Sequence, residues 1–469
     1  MRMTPSALHR ALIPGRWTAL LCMAAVGASS CKERDTPVPP VAKEDAVSAS
    51  PPDNGAGEQP GQWYRAWVSG GPEVGDVPFF LRLPASPHRG TAIMANGTQR
   101  IEAEARWYGT EVSVNQPLLR TRIFLRQDVE GALTGHMMSR SPVADGTASL
   151  PMQAVPVDAP DDSRRFLDAA SCGGPAAGED AAASPGQSSE DALAEAPADA
   201  AASAEPWGRW LAGFDDAGAV ELVLEQARPG VVTGSFTFGD GTVAVLFGNV
   251  FGSRICLSGF DGVNAFLAVL DVEPGGAALR GRWIAGPGLE RRSAFTAEKR
   301  EQVDVASNII IFTPNRTRLS LFELGLPQYR GKPIIIELGA SWCPPCLDSA
   351  PVLRALYDQH HAQGLEIVTL LFELLDDEDA LRRQARLFVE AHDIPWQVIP
   401  VRGEIKPYWD IIPHDPDVAE VNLPVTVFVN ADGTIRDAHT GFPGPESGKL
   451  YQAMVERYQR VAAELVTGK

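Results

Sequence analysis

Residues 334–346 read IIIELGASWCPPC, and this stretch decides the fold of the C-terminal part of the chain. The apolar run at its start predicts a strand that is covered on both faces of a sheet. A tight turn follows, and Cys343 and Cys346 then open a predicted helix. Free N–H groups and the helix dipole at such an end stabilise a thiolate. Because two thiols at this spacing can close a disulfide ring, the sequence predicts a site that passes disulfides to and from other proteins.

The two cysteines are predicted to have different roles. Cys343 is nearest the helix end and is expected to be the exposed nucleophile, whereas Cys346 lies one turn further in and is expected to resolve the mixed disulfide. Pro344 and Pro345 stiffen the ring, since proline is tolerated in a first helical turn. A zinc site is disfavoured because no second Cys pair or His cluster has ligand spacing. We therefore expect no metal, and no cofactor beyond the redox-active Cys343–Cys346 disulfide.

The region around this motif is predicted to alternate between strands and helices. Predicted strands cover 308–312, 333–338, 365–372 and 396–401, and predicted helices cover 346–361 and 376–391. A hairpin of 425–430 and 434–436 and a helix over 450–465 complete the region. This order predicts an α/β domain over 305–469.

The Trp-Cys-Pro-Pro-Cys motif, the later Leu423-Pro424-Val425-Thr426 and the order of elements resemble the thioredoxin fold. Within that fold they are most similar to the TlpA/ResA-like exported thiol–disulfide oxidoreductases of bacteria. The resemblance covers about residues 305–467 and implies an enzyme that reduces protein disulfides. It also implies that Pro424 is a cis-proline, which presents the Leu423 backbone to an extended substrate segment. Trp342 is expected to flank the site as an apolar platform, or simply to pack in the core.

Two acids near the motif are candidates for moving protons. Glu337 is a lone acid in the apolar strand, and the resemblance implies a carboxylate buried beneath the second Cys. Burial raises the pKa of such a group and suits it to exchange protons near neutrality. The alternative is an acid at an exposed strand end, and many relatives carry Asn or Asp here. Glu373 is a second candidate, or else a solvated acid near the acidic residues 376–378.

Two further activities are alternatives on the same fold. A thiol peroxidase normally has Thr three residues before its reactive Cys, but here that residue is Ala340. A reductant for c-type cytochrome maturation is a narrower version of the main prediction, and no residue decides it.

Residues 61–300 predict a β-rich domain of unknown role. Short strands alternate with turn signals, as in the hairpin around Asn96-Gly97. The simplest arrangement is one antiparallel meander, closed or nearly closed. Residues 169–206 interrupt it with Ala, Gly, Ser, Pro and acids and no Lys or Arg, which predicts a disordered insertion. The layout resembles the β-rich regions that precede thioredoxin domains in some bacterial lipoproteins, chiefly over residues 249–266.

Two cysteines outside the motif lie in this region. Cys256 alternates with apolar neighbours and is expected to be a small buried residue. Cys172 lies at the start of the predicted disordered insertion. A disulfide between them is compatible with an exported protein but is disfavoured by a flexible Cys172. The sequence leaves this pairing open.

The N-terminus predicts export. Residues 1–30 have a basic start and an apolar core of signal-peptide length, and end in small residues followed by Cys31. This resembles a bacterial lipobox, so Cys31 is expected to carry a lipid; the alternative is an ordinary cleaved signal with an incidental Cys. Residues 31–60 are expected to form a flexible tether. Together they predict a periplasm-facing, membrane-anchored lipoprotein of the cell envelope.

The charge balance limits the partners. The chain has 41 Lys and Arg against 59 Asp and Glu, a formal net charge of −18. Such an acidic protein is a poor candidate for binding nucleic acid through a basic face. We expect protein thiol and disulfide substrates, an upstream electron donor, and the membrane through the lipid anchor. A hypothesis of another class is a binding or scaffold lipoprotein that acts through its β-domain, with an accessory redox domain.

Overall fold

The structure is a computed structural model. It describes residues 61–71, 73–140, 147–173, 206–214, 218–239, 241–302, 313–403, 405–414 and 422–468. The predicted signal peptide, Cys31, the predicted tether and the predicted strand 308–312 lie outside the described residues. So does most of the predicted insertion, namely 174–205. Across the described ranges, no helix is long and apolar enough to cross a membrane.

The first eight strands close into a barrel, here called barrel A. They are β1 (Gly61–Ser69), β2 (Asp76–Pro84), β3 (Arg89–Asn96), β4 (Gln99–Tyr108), β5 (Glu111–Gln116), β6 (Thr121–Gln127), β7 (Leu133–Arg140) and β8 (Thr147–Val157). Each strand pairs with the next, and β1 pairs antiparallel with β8 to close the sheet. Side chains of β4 alternate between exposed and buried toward its end, as expected for a strand with one face on a packed interior.

The next eight strands close into barrel B. They are β9 (Gly208–Phe214), β10 (Gly218–Arg228), β11 (Val231–Phe238), β12 (Val243–Phe251), β13 (Arg254–Phe260), β14 (Ala265–Val272), β15 (Ala278–Gly286) and β16 (Arg291–Arg300). Closure comes from antiparallel pairing of β16 with β9. Aromatic rings fill part of the interior: Phe214 stacks on Phe295 with centroids 4.5 Å apart, and Phe236 lies 4.8 Å from Trp283.

Two barrels replace the single meander that the sequence predicts. The β-rich, antiparallel and closed character of the region is confirmed, but the strands divide after β8. The physical reason is interior volume: about eight strands enclose a space that side chains can fill, whereas a much larger barrel leaves a lumen. The domain limits 61–300 stay a prediction.

A buried polar cluster joins the two barrels. Arg165, which follows β8, is fully buried and donates hydrogen bonds to Pro78 O (3.0 Å) and Asn96 Oδ1 (2.6 Å) of barrel A. Ser258 of barrel B donates to the same Pro78 carbonyl at 2.9 Å. Asp162 pairs with the Arg165 guanidinium at 2.6 Å, which balances its buried charge.

A disulfide reinforces this junction. Cys172 and Cys256 are bonded, and both are fully buried. Cys172 belongs to a short 3₁₀ turn, Ala170–Cys172, so the expectation of a flexible Cys172 is wrong. This turn has the low-complexity composition of the predicted insertion, but it is ordered because it packs into the apolar core of barrel A. Cys256 is small and buried as predicted, but it is not a free thiol.

The C-terminal domain is a five-stranded sheet with helices on both faces. Its strands are β17 (Ile334–Gly339), β18 (Glu366–Glu373), β19 (Gln397–Arg402), β20 (Val425–Val429) and β21 (Ile435–Thr440), in the order β19-β18-β17-β20-β21. Its helices are α1 (Pro344–His360), α2 (Glu378–Ala391), α3 (Lys406–Trp409) and α4 (Lys449–Thr467). The central strand β17 is buried throughout, parallel to β18 and antiparallel to β20.

This topology brings two loops together at one end of the central strands. The loop from β17 to α1 carries Cys343, and the segment before β20 carries Pro424. Because β17 and β20 are neighbouring antiparallel strands, the end of one lies beside the start of the other, as the pairing of Leu338 with Val425 shows.

Candidate active site

The two motif cysteines form a disulfide at the N-terminus of α1. Their Cα atoms are 5.2 Å apart. Cys343 is the N-cap residue, and the Cys346 N–H donates to Cys343 Sγ at 3.2 Å. A backbone donor aimed at this sulfur stabilises the thiolate that reduction would leave on it. The geometry therefore favours Cys343 as the nucleophile, as the sequence predicts.

The disulfide is buried. Cys343 is 4% exposed and Cys346 is 1% exposed. The expectation of an exposed Cys343 is wrong for this oxidised form, because Trp342 and Leu423 pack against the pair. Trp342 is predicted to flank the site, and Leu423 to present its backbone to a substrate there. Both pack against the cluster that contains the two cysteines, and their role in binding substrate stays a prediction.

Pro424 stands at the edge of the site. The Leu423–Pro424 peptide bond is cis, as the resemblance implies. The Pro424 carbonyl accepts a hydrogen bond from Gly441 N–H at 2.8 Å, which ties this segment to the end of β21. Leu423 is half-buried and belongs to the apolar cluster around the cysteines.

Barrel B contacts the rim of the site. Asn422 Nδ2 donates to Thr242 Oγ1 in the turn between β11 and β12. Gly241 in the same turn has φ +88°, and a Cβ added there would collide with the carbonyl oxygen of Thr440. The turn between β11 and β12 therefore lies against Asn422, which precedes Pro424, and against Thr440 at the end of β21.

Glu337 is buried beneath the disulfide at 1% exposure, not at an exposed strand end. A Cβ added to Gly339 would lie 3.5 Å from Cys346 Sγ and 3.9 Å from Glu337 Cγ, so both side chains are on the same side of β17. Burial raises the pKa of Glu337 to about 7, although hydrogen bonds from Ser349 and Thr369 oppose the shift. A carboxyl group with this pKa can take up and release a proton near neutral pH.

Glu373 is also buried, so the alternative of a solvated acid is wrong. Its Oε1 accepts the Ser341 N–H at 3.0 Å, and its Oε2 pairs with the Arg120 guanidinium at 2.8 Å. Burial raises the pKa of this carboxyl, and the hydrogen bond from Ser341 and the charge of Arg120 hold it down in part. Its role as a second proton-moving acid stays a prediction.

The C-terminal domain is similar to known proteins. Residues 316–438 match the model of the AhpC/TSA family. The thiol–disulfide oxidoreductase ResA of Bacillus thuringiensis subsp. konkukian is 26% identical over 143 residues, which are 30% of this chain and 71% of that protein. The sporulation thiol–disulfide oxidoreductase A of Bacillus subtilis is 23% identical over 120 residues, 25% of this chain and 65% of that protein.

The C-terminal domain is a TlpA/ResA-like thioredoxin-fold domain. Because its relatives are named thiol–disulfide oxidoreductases, the predicted enzyme class is confirmed. Among solved structures, a thiol:disulfide interchange protein of the thioredoxin family from Chlorobium tepidum matches with 15% identity and a TM-score of 0.23. That match covers 30% of this chain and 83% of the other.

A row of polar residues crosses the sheet of the thioredoxin-fold domain. Glu337 is in register with Thr369 on β18 and with Thr426 on β20. Thr369 Oγ1 lies 3.4 Å from Glu337 Oε2 and accepts the Trp396 Nε1–H at 3.1 Å. On the other side, Tyr458 of α4 donates to Thr426 Oγ1 at 2.8 Å. The buried acid is therefore surrounded by hydroxyl groups in an otherwise apolar layer.

Sequence reasoning missed three residues of the thioredoxin-fold site. Ser349 donates to Glu337 Oε1 at 2.5 Å, and its position three residues after Cys346 places both on one helix face. Thr369 could have been found from strand register, since it is the neighbour of Glu337 on β18. No sequence pattern links Arg120 to the site, because it precedes its partner Glu373 by 253 residues.

Proposed function

We propose that this protein is an exported, membrane-anchored enzyme that reduces disulfides of other proteins through its Cys-Pro-Pro-Cys motif. One observation carries the proposal: the two cysteines sit at the N-terminus of α1, with a donor N–H on Cys343 Sγ and a buried carboxyl group beneath Cys346. That arrangement provides a nucleophile, a resolving thiol and a proton acceptor.

The reaction begins with the reduced pair. The Cys343 thiolate attacks one sulfur of a substrate disulfide, which forms a mixed disulfide and releases the other substrate sulfur as a thiolate that takes a proton from solvent. Cys346 then loses its proton and attacks Cys343 Sγ. The Cys343–Cys346 bond forms, the mixed disulfide breaks, and the second substrate sulfur leaves as a thiolate that takes a proton from solvent. Two electrons pass to the substrate, and an upstream dithiol donor restores the reduced pair.

Glu337 is assigned to the second step. In its carboxylate form Glu337 accepts the Cys346 proton. Burial raises the pKa of Glu337 to about 7, so the protonated form predominates below that pH. Ser349 donates to the same carboxyl oxygen and keeps it oriented. Trp342 and Leu423 provide the apolar contacts around the disulfide and are the side chains that a substrate segment would meet beside Cys343.

The test is disulfide reduction by the full chain with a peptide that contains one disulfide. Wild type should reduce it with a dithiol donor, and Cys343→Ser should reduce it at least 100-fold more slowly, since no first attack occurs. The control is the Cys172→Ala/Cys256→Ala double variant, which keeps the motif and should retain activity if it folds. Reduction by Cys343→Ser at the wild-type rate would reject the enzyme and favour the scaffold hypothesis.

The location has its own test. Cys31 is proposed to carry the lipid, the tether 31–60 to extend from it, and the folded part to face the periplasm. In bacterial cells the wild-type chain should sediment with membranes, and Cys31→Ala should appear in the soluble periplasmic fraction. A Cys31→Ala protein that still sediments with membranes contradicts the anchor.

A further inference from the structure

We propose that barrel A supplies a positioning residue to the redox site: Arg120 holds Glu373, and Glu373 holds the loop that carries Cys343. This inference rests on the proposed function for its meaning, but its test reads the Cys343 thiol directly and not the reduction of a substrate. Barrel A, whose role the sequence does not indicate, would then contribute to the chemistry of the C-terminal domain.

The first link is an ion pair between the two halves of the molecule. Arg120 lies in the turn between β5 and β6, and its φ of +56° places it in the left-handed region that few non-glycine residues adopt. Its guanidinium is 2.8 Å from Glu373 Oε2, with the side chains 12% and 0% exposed. At this burial the pair is little screened by solvent.

The second link runs from Glu373 to the redox loop. Glu373 Oε1 accepts the Ser341 N–H at 3.0 Å. Ser341 is two residues before Cys343, and the Cys343 N–H donates to Ala340 O at 3.3 Å, which closes the turn. The carboxylate therefore fixes one end of the turn that places Cys343 at the start of α1.

The same turn of barrel A makes two more contacts near this loop. Leu118 is 6% exposed and packs in the core formed by α1, α2 and α4. Gln384 of α2 has its Nε2 2.9 Å from Ser341 Oγ and 3.4 Å from Pro117 O. Residues 117–120 thus contact the C-terminal domain at three points, and two of these contacts, those of Arg120 and Pro117, are to hydrogen-bond partners of Ser341.

The charge of Glu373 affects how strongly it holds the loop that carries Cys343. A carboxylate is a stronger hydrogen-bond acceptor than a neutral acid, so the Ser341 contact depends on an ionised Glu373. Burial alone raises the pKa of Glu373, and Arg120 opposes this. Arg402 is in register with Glu373 on the neighbouring strand, but it is half exposed and pairs with Glu378 at 3.2 Å. Arg120 is therefore the cation that balances Glu373 beside the redox loop.

The experiment measures the alkylation of Cys343 by iodoacetamide against pH, in the Cys346→Ser background with the Cys172–Cys256 disulfide intact. Arg120→Ala leaves the charge of Glu373 unbalanced wherever Glu373 is ionised, so it should raise the pKa of the Cys343 thiol and slow alkylation by about three- to tenfold. Glu373→Gln leaves the Arg120 charge instead and should accelerate it. Arg120→Ala/Glu373→Gln removes both charges and should return the rate to near the wild-type value.

Arg122→Ala is the matched control, because Arg122 is the exposed arginine two residues further along barrel A, and it should alkylate like wild type. Equal pH profiles for Arg120→Ala and wild type would overturn the proposal. So would a folded double variant that stays as slow as Arg120→Ala. If Arg120→Ala does not fold, the faster alkylation of Glu373→Gln and the return of the double variant to near the wild-type rate still decide it. A failure of Cys343-dependent reduction would reject the proposed function and leave this alkylation pattern unaffected.

Discussion

Ser349 Oγ lies 2.5 Å from Glu337 Oε1 and 3.0 Å from the carbonyl oxygen of Cys346. Both side chains are buried. A hydroxyl group has one hydrogen, so Ser349 can donate to an ionised Glu337, or accept from a protonated Glu337 while donating to Cys346 O. It therefore has a partner in both protonation states, and it links the buried acid to the residue whose proton that acid is proposed to take.

Ser349→Ala should shift the pH dependence of the resolving step upward. The Ser349 hydroxyl opposes the effect of burial on the pKa of Glu337. Its loss should raise that pKa above about 7 and move the midpoint of the rate profile by about half a unit to one unit. The measurement is the single-turnover rate of Cys343–Cys346 closure between pH 5.5 and 9. Ser349→Thr keeps the hydroxyl and is the control; coincident midpoints for Ser349→Ala and wild type would contradict the role.

Glu337 should also make the stability of the oxidised protein fall with rising pH. Burial raises its pKa from 4.5 to about 7. Between these values the folded protein holds a proton that the unfolded chain has released, so the free energy of unfolding decreases from about pH 4.5 to about pH 7 and then levels. Glu337→Gln lacks this titrating group. Its free energy of unfolding should therefore decrease by about 3 kcal/mol less than that of wild type between about pH 4.5 and about pH 7.

Urea unfolding at pH 4.5, 6 and 8 measures this difference. Asp348, whose pKa burial also raises to about 7, contributes the same slope to both proteins and cancels in the comparison. Parallel stability curves for wild type and Glu337→Gln would show that Glu337 is ionised in the folded protein throughout the range.

Local pattern was enough to predict the thioredoxin-fold domain. The apolar run ending at Leu338, the cysteine spacing and the proline before β20 each act over a few residues, and the observed elements begin and end within a few positions of the predicted ones. Burial of Glu337 followed from its apolar neighbours on the strand. These features depend on interactions between residues that are close together in the sequence, so the sequence alone is enough to predict them.

The remaining features depend on pairing between distant parts of the chain. Closure of each barrel requires the first and last strands to meet, as β1 and β8 do, and no local pattern specifies that partner. Composition placed Cys172 in a disordered segment because it averages over neighbours, whereas packing into barrel A orders the turn. Burial of Cys343 depends on Leu423, and the Arg120–Glu373 pair on the docking of a whole barrel.

Gly241→Ala should open access to the reduced site. Its Cβ would collide with the backbone at Thr440, so the turn of barrel B must move away from the rim beside Pro424. Gly230→Ala is the control, since Gly230 also has a positive φ, +75°, but no atom within 4 Å of its Cβ position. Both substitutions carry a similar backbone cost, about 1 kcal/mol.

The readout is the rate at which Cys343 reacts with a bulky maleimide relative to iodoacetamide. This ratio should rise in Gly241→Ala and stay at the wild-type value in Gly230→Ala. Equal ratios in the two variants would show that barrel B does not limit access.

The Cys172–Cys256 disulfide should stabilise the fold more than the motif disulfide does. It joins residues 84 apart, whereas Cys343 and Cys346 are 3 apart. Closing the longer loop restricts the unfolded chain more, so Cys172→Ala/Cys256→Ala should lower the free energy of unfolding by about 3–5 kcal/mol, and Cys343→Ala/Cys346→Ala by about 2 kcal/mol. Chemical denaturation of both double variants measures this, and the reverse order would contradict a structural role for the buried pair.

Cys343 is proposed to attack substrate disulfides, and Cys346 to release them. The most direct measurement is mass spectrometry of the covalent adduct formed when each single-cysteine variant of the motif meets a disulfide-containing protein. Cys346→Ser should accumulate a mixed disulfide on Cys343, because the resolving thiol is gone, and Cys343→Ser should accumulate none under the same conditions. Adducts of equal yield in the two variants, or an adduct confined to Cys346, would contradict the assignment of the nucleophile.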